Sequence, residues 1–303
     1  MKIGFHLPQR GPGATRDGVL AVARAVEDCG LDSVWVADHV VHPASSRSRY
    51  PYTPDGTTRW RAEDGFLEAF QLLALVAGAT ERVALGTSIL VLPMRHPLLV
   101  AKTVATLDVL SGGRVILGVG LGWWEEEFAA LDVPFGHRGS RAVEEIEIMR
   151  AAWRDGRVAW QGDFYRFDSV ICRPRPVQDG GPPIWIGGMG PRALERAGRY
   201  GDGWHGVGAR SDRIAEGRAT VEKAALDAGR DPSGLEISTS TILPDDPEDA
   251  IRRIVRLDAC GVDHVVLAPS GPEDPPAICA AIERFASDVV PHLRSQLPDP
   301  AGS

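Results

Sequence analysis

Lysine is scarce in this 303-residue chain. Of 33 lysines plus arginines only three are lysine (Lys2, Lys102 and Lys223), leaving 30 arginines. Lys2 opens the first apparent strand and the other two fall in apparent helices. A Schiff-base aldolase needs a buried lysine at a strand end, so that chemistry is excluded. The four cysteines, Cys29, Cys172, Cys260 and Cys279, are scattered without a C-x-x-C pair, which indicates neither a zinc site nor a disulfide frame. No apolar run reaches the roughly 20 residues of a membrane span. A basic excess is also lacking: 33 basic against 41 acidic residues give a net charge of −8, unlike a dedicated nucleic-acid binder. Met1–Phe5 reads as the start of a strand, so no signal peptide is expected. The expectation is a cytoplasmic protein that binds a small molecule, without nucleic acid or membrane as partner.

What is present is alternation. Short apolar runs such as Lys2–Leu7 and Ser33–Ala37 (SVWVA) alternate with amphipathic stretches such as Asp17–Cys29, which Gly30 closes. Strands buried on both faces read as unbroken apolar runs of this kind. The cycle continues through strands Val83–Leu90, Arg114–Val119, Pro183–Gly187, Gly203–Val207, Leu235–Thr241 and His264–Ala268, each followed by a helix. Eight βα units predict an α/β protein, a (β/α)8 TIM barrel, as a single domain over residues 1–296. Cys29–Val34 (CGLDSV) echoes Cys260–Val265 (CGVDHV), each a helix end, glycine turn and strand start. Two insertions interrupt the barrel. Val40–Arg61 follows the second strand, and Asp155–Pro182 lies between the fourth helix and fifth strand, with a small hairpin expected around Phe164–Phe167. Residues 297–303 are expected to be a disordered tail.

In such a barrel, chemistry sits at the carboxyl ends of the strands. Those ends carry His6, then Asp38 and His39, then Thr87, Ser88 and Ile89. Next come Leu121, Gly122 and Trp123, then Gly187, Gly188, Met189 and Gly190, then His205. So many small residues predict room for something large and flat. Gly188-x-Gly190-x-x-Ala193 bridges a strand and a helix, where free N–H groups and the helix dipole favour a phosphate, and Arg192 adds charge. Asp38 beside His39 offers a proton donor near neutral pH. The bland reading makes Asp38 a loop cap and His39 a packing residue. His6, His39 and His205 lack accompanying carboxylates, so no metal is expected. Glu125–Glu127 reads as the solvated start of a helix.

Five segments carry a resemblance: Ser33–His39 (SVWVADH), Leu85–Ile89 (LGTSI), Leu117–Trp123 (LGVGLGW), Pro183–Gly188 (PIWIGG) and Gly201–Trp204 (GDGW). In this order they resemble the luciferase-like monooxygenase superfamily, and most closely its coenzyme F420-dependent oxidoreductase branch, from Lys2 to about His292. The resemblance implies a bacterial luciferase-like barrel, usually a homodimer, with a deazaflavin or flavin across its C-terminal face. It implies His39, with Asp38, as catalytic. Asp38, Thr87, Ser88, Ile89, Leu121, Gly122, Gly187, Gly188, Met189, Gly190 and Arg192 would bind the cofactor, F420 or alternatively FMN. It also implies a non-prolyl cis peptide at Ser88–Ile89. The family's sugar-phosphate dehydrogenases carry a glutamate where Trp123 stands, and they bind phosphate with lysines that have few counterparts here. A more apolar substrate is therefore expected in a pocket formed by His6, Tyr50, Trp60, Trp123 and His205. The expected reaction is hydride transfer, with a reduced-FMN monooxygenase or a non-catalytic flavin-binding relative as alternatives.

Overall fold

The computed structural model describes residues 1–58, 60–208, 211–270 and 274–296. In chain order its strands are β1 (Lys2–His6), β2 (Ser33–Val36), β3 (Ala84–Thr87), β4 (Leu90–Val91), β5 (Val115–Gly120), β6 (Arg157–Gln161), β7 (Arg166–Ile171), β8 (Ile184–Gly187), β9 (Gly203–Val207), β10 (Glu236–Ile242) and β11 (His264–Ala268). The helices are α1 (Arg16–Asp28), α2 (Ala69–Ala77), α3 (Pro97–Ser111), α4 (Glu125–Ala130), α5 (Arg138–Asp155), α6 (Pro191–Tyr200), α7 (Ser211–Asp227), α8 (Pro247–Ala259), α9 (Pro275–Asp288) and α10 (Val290–Gln296).

Strands β1, β2, β3, β5, β8, β9, β10 and β11 pair in parallel, and a β3–β5 pairing (Leu85 with Val115, Gly86 with Ile116) closes the ring. This is the expected (β/α)8 barrel. The glycine echo is architectural: Gly30 and Gly261 end α1 and α8 with φ of 69° and 75°, the left-handed conformation a glycine adopts at no steric cost.

Two details differ from the expected elements. The strand expected over Val83–Leu90 breaks at a cis Ser88–Ile89 bond into β3 and β4. The hairpin is real but wider than Phe164–Phe167, because Phe164 and Tyr165 lie in the turn between β6 and β7. The helix expected to open at Glu125 is the short α4, between β5 and α5. The tail at 297–303 lies outside the described residues.

Two apolar layers hold the barrel. One lies between strands and helices; the other fills the interior, where Trp35 and Trp185 stack with centroids 5.3 Å apart against Val266. Two tryptophans fit only because facing positions lack side chains. A Cβ on Gly86 would lie 2.3 Å from the Trp35 ring, well inside contact distance. Histidines share this interior. Among the described residues no helix is long and apolar enough to cross a membrane.

Candidate active site

His39 follows β2 at the carboxyl edge of the barrel, and its Nδ1 lies 2.8 Å from Glu127 Oε2. Glu127 belongs to the first turn of α4 and is wholly buried. Its other oxygen accepts the backbone N–H groups of Val40 (2.6 Å) and Val41 (3.2 Å). An ionised carboxylate only accepts, so His39 carries its hydrogen on Nδ1 and leaves Nε2 bare. This corrects the reading of the acidic run as solvated. Only Glu125 of the three is fully exposed.

The neighbouring carboxylate has a different task. Asp38 receives Arg95 on both oxygens (2.7 and 2.8 Å) and the Val91 N–H at 2.9 Å. The expected Asp38–His39 pair is therefore replaced by Glu127–His39. Asp38 instead anchors the turn after β4, because a buried carboxylate takes the nearest charged fork available.

The floor is built on Ile89. A Cβ placed on Gly120 would meet Ile89 Cδ1 at 1.8 Å, and one on Gly187 would meet it at 2.7 Å. On Gly118 it would lie 2.0 Å from the Thr87 carbonyl. These glycines, expected to make room for a flat ligand, make room for the chain itself. The cradle that stays open is smaller. A Cβ on Gly190 would meet nothing within 4 Å, and on Gly188 only Ala193, at 2.9 Å. Gly190 caps α6, so the open glycines lie at a helix N-terminus.

Aromatic rings from the first insertion form the roof. Trp60 meets the His39 ring edge-on at 4.2 Å, and Tyr50 meets Trp123 at 5.2 Å. Trp123 stacks on Trp124 at 4.8 Å. The insertion is latched to α4 through Glu126, which accepts from the Arg47 N–H (2.6 Å) and the Ser48 hydroxyl (2.6 Å). The Ser48 hydroxyl and the Arg47 N–H hold the Glu126 carboxyl down at about 2.

Roof, floor and cradle enclose a cavity of about 310 Å³. It brings together Asp38, His39, Tyr50, Trp60, Ser88, Ile89, Leu121, Gly122, Trp123 and the segment Gly187–Gly190. Tyr52, expected beside Tyr50 and Trp60 over an apolar substrate, also lines it, and so does Arg196, which nothing in the sequence singles out. Leu121 and Arg196 are shared with an adjoining groove of about 720 Å³ between α5 and α6. Arg192 lines that groove, with Arg138 and Arg199, rather than the cavity.

Three expected residues lie elsewhere. Thr87 is buried, its hydroxyl bound to the Gly118 carbonyl at 2.7 Å. His205 is fully buried two residues below Val207, which does line the cavity. His6 bonds to Ser240 inside the barrel at 3.0 Å and is not a lining residue. Burial pushes both imidazoles down, His6 to about 4 with help from Arg10 and His205 to about 3 with help from His6. Neither is a proton donor at neutral pH.

A closed parallel barrel with a carboxylate-bound imidazole, an open glycine cradle and an aromatic roof at the carboxyl ends of its strands has the form of an enzyme's active site. Comparison with known proteins gives its family. The luciferase-like monooxygenase profile matches residues 1–281, and the chain belongs to that family of oxidoreductases. An uncharacterized protein of Mycobacterium tuberculosis is 34% identical over 278 residues, 89% of this chain and 94% of that one. An F420-dependent glucose-6-phosphate dehydrogenase of Amycolatopsis mediterranei is 35% identical over 246 residues, 76% of this chain and 67% of that one. Among solved structures, an F420-dependent secondary alcohol dehydrogenase in complex with an F420-acetone adduct superposes with a TM-score of 0.79 at 25% identity, covering 97% of this chain and 99% of that one.

Proposed function

We propose that the chain is a coenzyme F420-dependent oxidoreductase that moves a hydride between the deazaflavin and a small, largely apolar organic substrate at a C=O, C=C or C=N bond. The observation that carries this reading is the pairing of His39 with buried Glu127 over an open glycine cradle. The cavity is at the low end of the roughly 300–1,000 Å³ usual for small-molecule sites. It suits a ring system whose extension leaves through the groove. That groove carries Arg138, Arg192, Arg196 and Arg199 against one acid, Glu195, which lies 3.5 Å from Arg199. Such an excess favours an anionic tail.

When bound, the deazaflavin would supply or accept the hydride. Ser88, Ile89 and the Gly187–Gly190 segment would hold its ring, and Arg192 its phosphate-bearing tail. His39 Nε2 takes a proton from an alcohol in oxidation; in reduction, protonated His39 delivers one. Glu127 keeps the imidazole oriented in both directions. Tyr50, Trp60 and Trp123 exclude water and favour apolar substrate surface. No carboxylate stands at position 123 and no lysine lines the cavity, which disfavours a sugar phosphate. A homodimer accords with Leu99 and Leu110 of α3, which are 67% and 65% exposed.

Titration of the purified protein with F420 and with FMN, oxidised and reduced, tests the reading. F420 is expected to bind at micromolar concentration or below and FMN far more weakly. The reverse preference would transfer the assignment to a reduced-FMN monooxygenase.

A further inference from the structure

From Ser88 a chain of polar groups runs below the cavity floor, and the proposed hydride and proton transfers do not use it. Ser88 Oγ lies 2.8 Å from His205 Nε2. Across the ring, His205 Nδ1 lies 2.8 Å from Ser238 Oγ, and that hydroxyl lies 3.3 Å from the Trp204 carbonyl oxygen. His205 and Ser238 are completely buried. Trp35 stacks on the imidazole at 5.7 Å with the two planes 8° apart, which fixes the plane of the ring.

Counting hydrogens orients the chain. A carbonyl only accepts, so the Ser238 hydroxyl donates to Trp204. Ser238 has one hydrogen, so toward the imidazole it can only accept, which places a hydrogen on Nδ1. Nε2 is then bare and accepts, and Ser88 donates inward. The opposite tautomer would leave the Ser238–Trp204 contact without a hydrogen. Burial keeps the imidazole neutral, so the doubly protonated ring does not compete.

We propose that His205 is a positioning residue that holds Ser88 as an inward donor, so that the Ser88 oxygen offers only lone pairs to the cavity and selects a ligand edge bearing an N–H or O–H group. A ligand presenting an acceptor there meets another acceptor and is disfavoured. The ligand half of this inference rests on the deazaflavin reading above; the tautomer does not.

Two measurements test it. In ligand-free protein labelled with 15N-histidine, long-range proton–nitrogen spectra should show His205 protonated at Nδ1 and bare at Nε2 throughout neutral pH. A bare Nδ1 overturns the proposal. In F420 titrations, Ser88→Ala and Ser238→Ala should each weaken binding about two- to tenfold, the worth of one neutral hydrogen bond. The double variant should bind no more weakly than Ser88→Ala, because both changes remove the same bond. Additive losses would show that Ser238 acts by packing alone and overturn the relay. If the parent protein binds no F420, the cofactor reading fails and the His205 tautomer decides the relay by itself.

Discussion

Replacing Glu127 by Gln probes the reaction chamber with least disturbance to the fold. The amide oxygen can keep the Val40 and Val41 N–H groups, now 2.6 and 3.2 Å from Oε1. The amide nitrogen then faces His39 Nδ1, where the carboxylate oxygen stood at 2.8 Å. An NH2 group only donates, so Nδ1 must give up its hydrogen and Nε2 must take one. Oxidation suffers because no bare Nε2 remains to accept the alcohol proton. Reduction suffers because the amide no longer stabilises an imidazolium. General acid–base catalysis contributes about 10²- to 10⁴-fold, or roughly 3–5 kcal/mol of barrier, and that is the expected loss in kcat. Stability should change far less. One charge-assisted bond becomes a neutral one, about 1 kcal/mol, or roughly 1.5 °C in Tm for a chain of this size. Turnover followed by deazaflavin absorbance, F420 affinity by fluorescence titration and a thermal melt by circular dichroism separate these effects. Turnover within about threefold of the parent, with F420 still bound, would refute the role given to the pair.

Other expectations follow from the same geometry. Trp123→Ala should reduce kcat/KM for an apolar substrate about tenfold or more while moving the F420 affinity less than threefold; the opposite split in kinetics and titration would remove Trp123 from the substrate pocket. Glu126→Ala should free the insertion from α4, raising KM and the amide exchange of residues 46–48 with little effect on the thermal midpoint, as hydrogen-exchange mass spectrometry would show. Acid should unfold the protein through its interior histidines. His6, His205 and His264 are held down by burial to about 4, 3 and 3, so between the ordinary value near 6.5 and those values the unfolded chain binds more protons. Stability present above pH 6.5 is therefore lost progressively as pH falls from about 6.5, the loss being complete below about 4 to 3. Urea unfolding at stepped pH should show His205→Asn to be less sensitive to acid than the parent.

How legible the molecule was in its sequence depended on whether a residue's environment is set by near or distant chain. The barrel was readable because each βα unit is local: an apolar run, a glycine turn, an amphipathic helix. His39, Ser88 and the Gly187–Gly190 segment could be placed because the last residues of barrel strands meet one mouth. Glu127 could not. Three glutamates opening a helix read as solvated, and the third is buried and bound by the Val40 and Val41 N–H groups, more than 80 positions away. His205 was misplaced by depth. It stands two residues before the strand's last, roughly 7 Å below the rim at the usual rise per residue, and counting back from Val207 would have put it under the floor. Adjacency in sequence pairs Asp38 with His39, but the fold does not. Successive side chains point apart in extended chain, and Arg95, far along the chain, claims the carboxylate.

The Ile89 side chain occupies the space that side chains at 120 and 187 would need. Those three positions belong to β5, β8 and the break between β3 and β4, yet they behave as one site with one volume. Relatives carrying a larger residue at 120 or 187 should carry a smaller one at 89. Attempts to widen the cavity floor by design should exchange all three together, since Gly120→Ala alone collides with Ile89 while Ile89→Ala alone leaves a void under the ring.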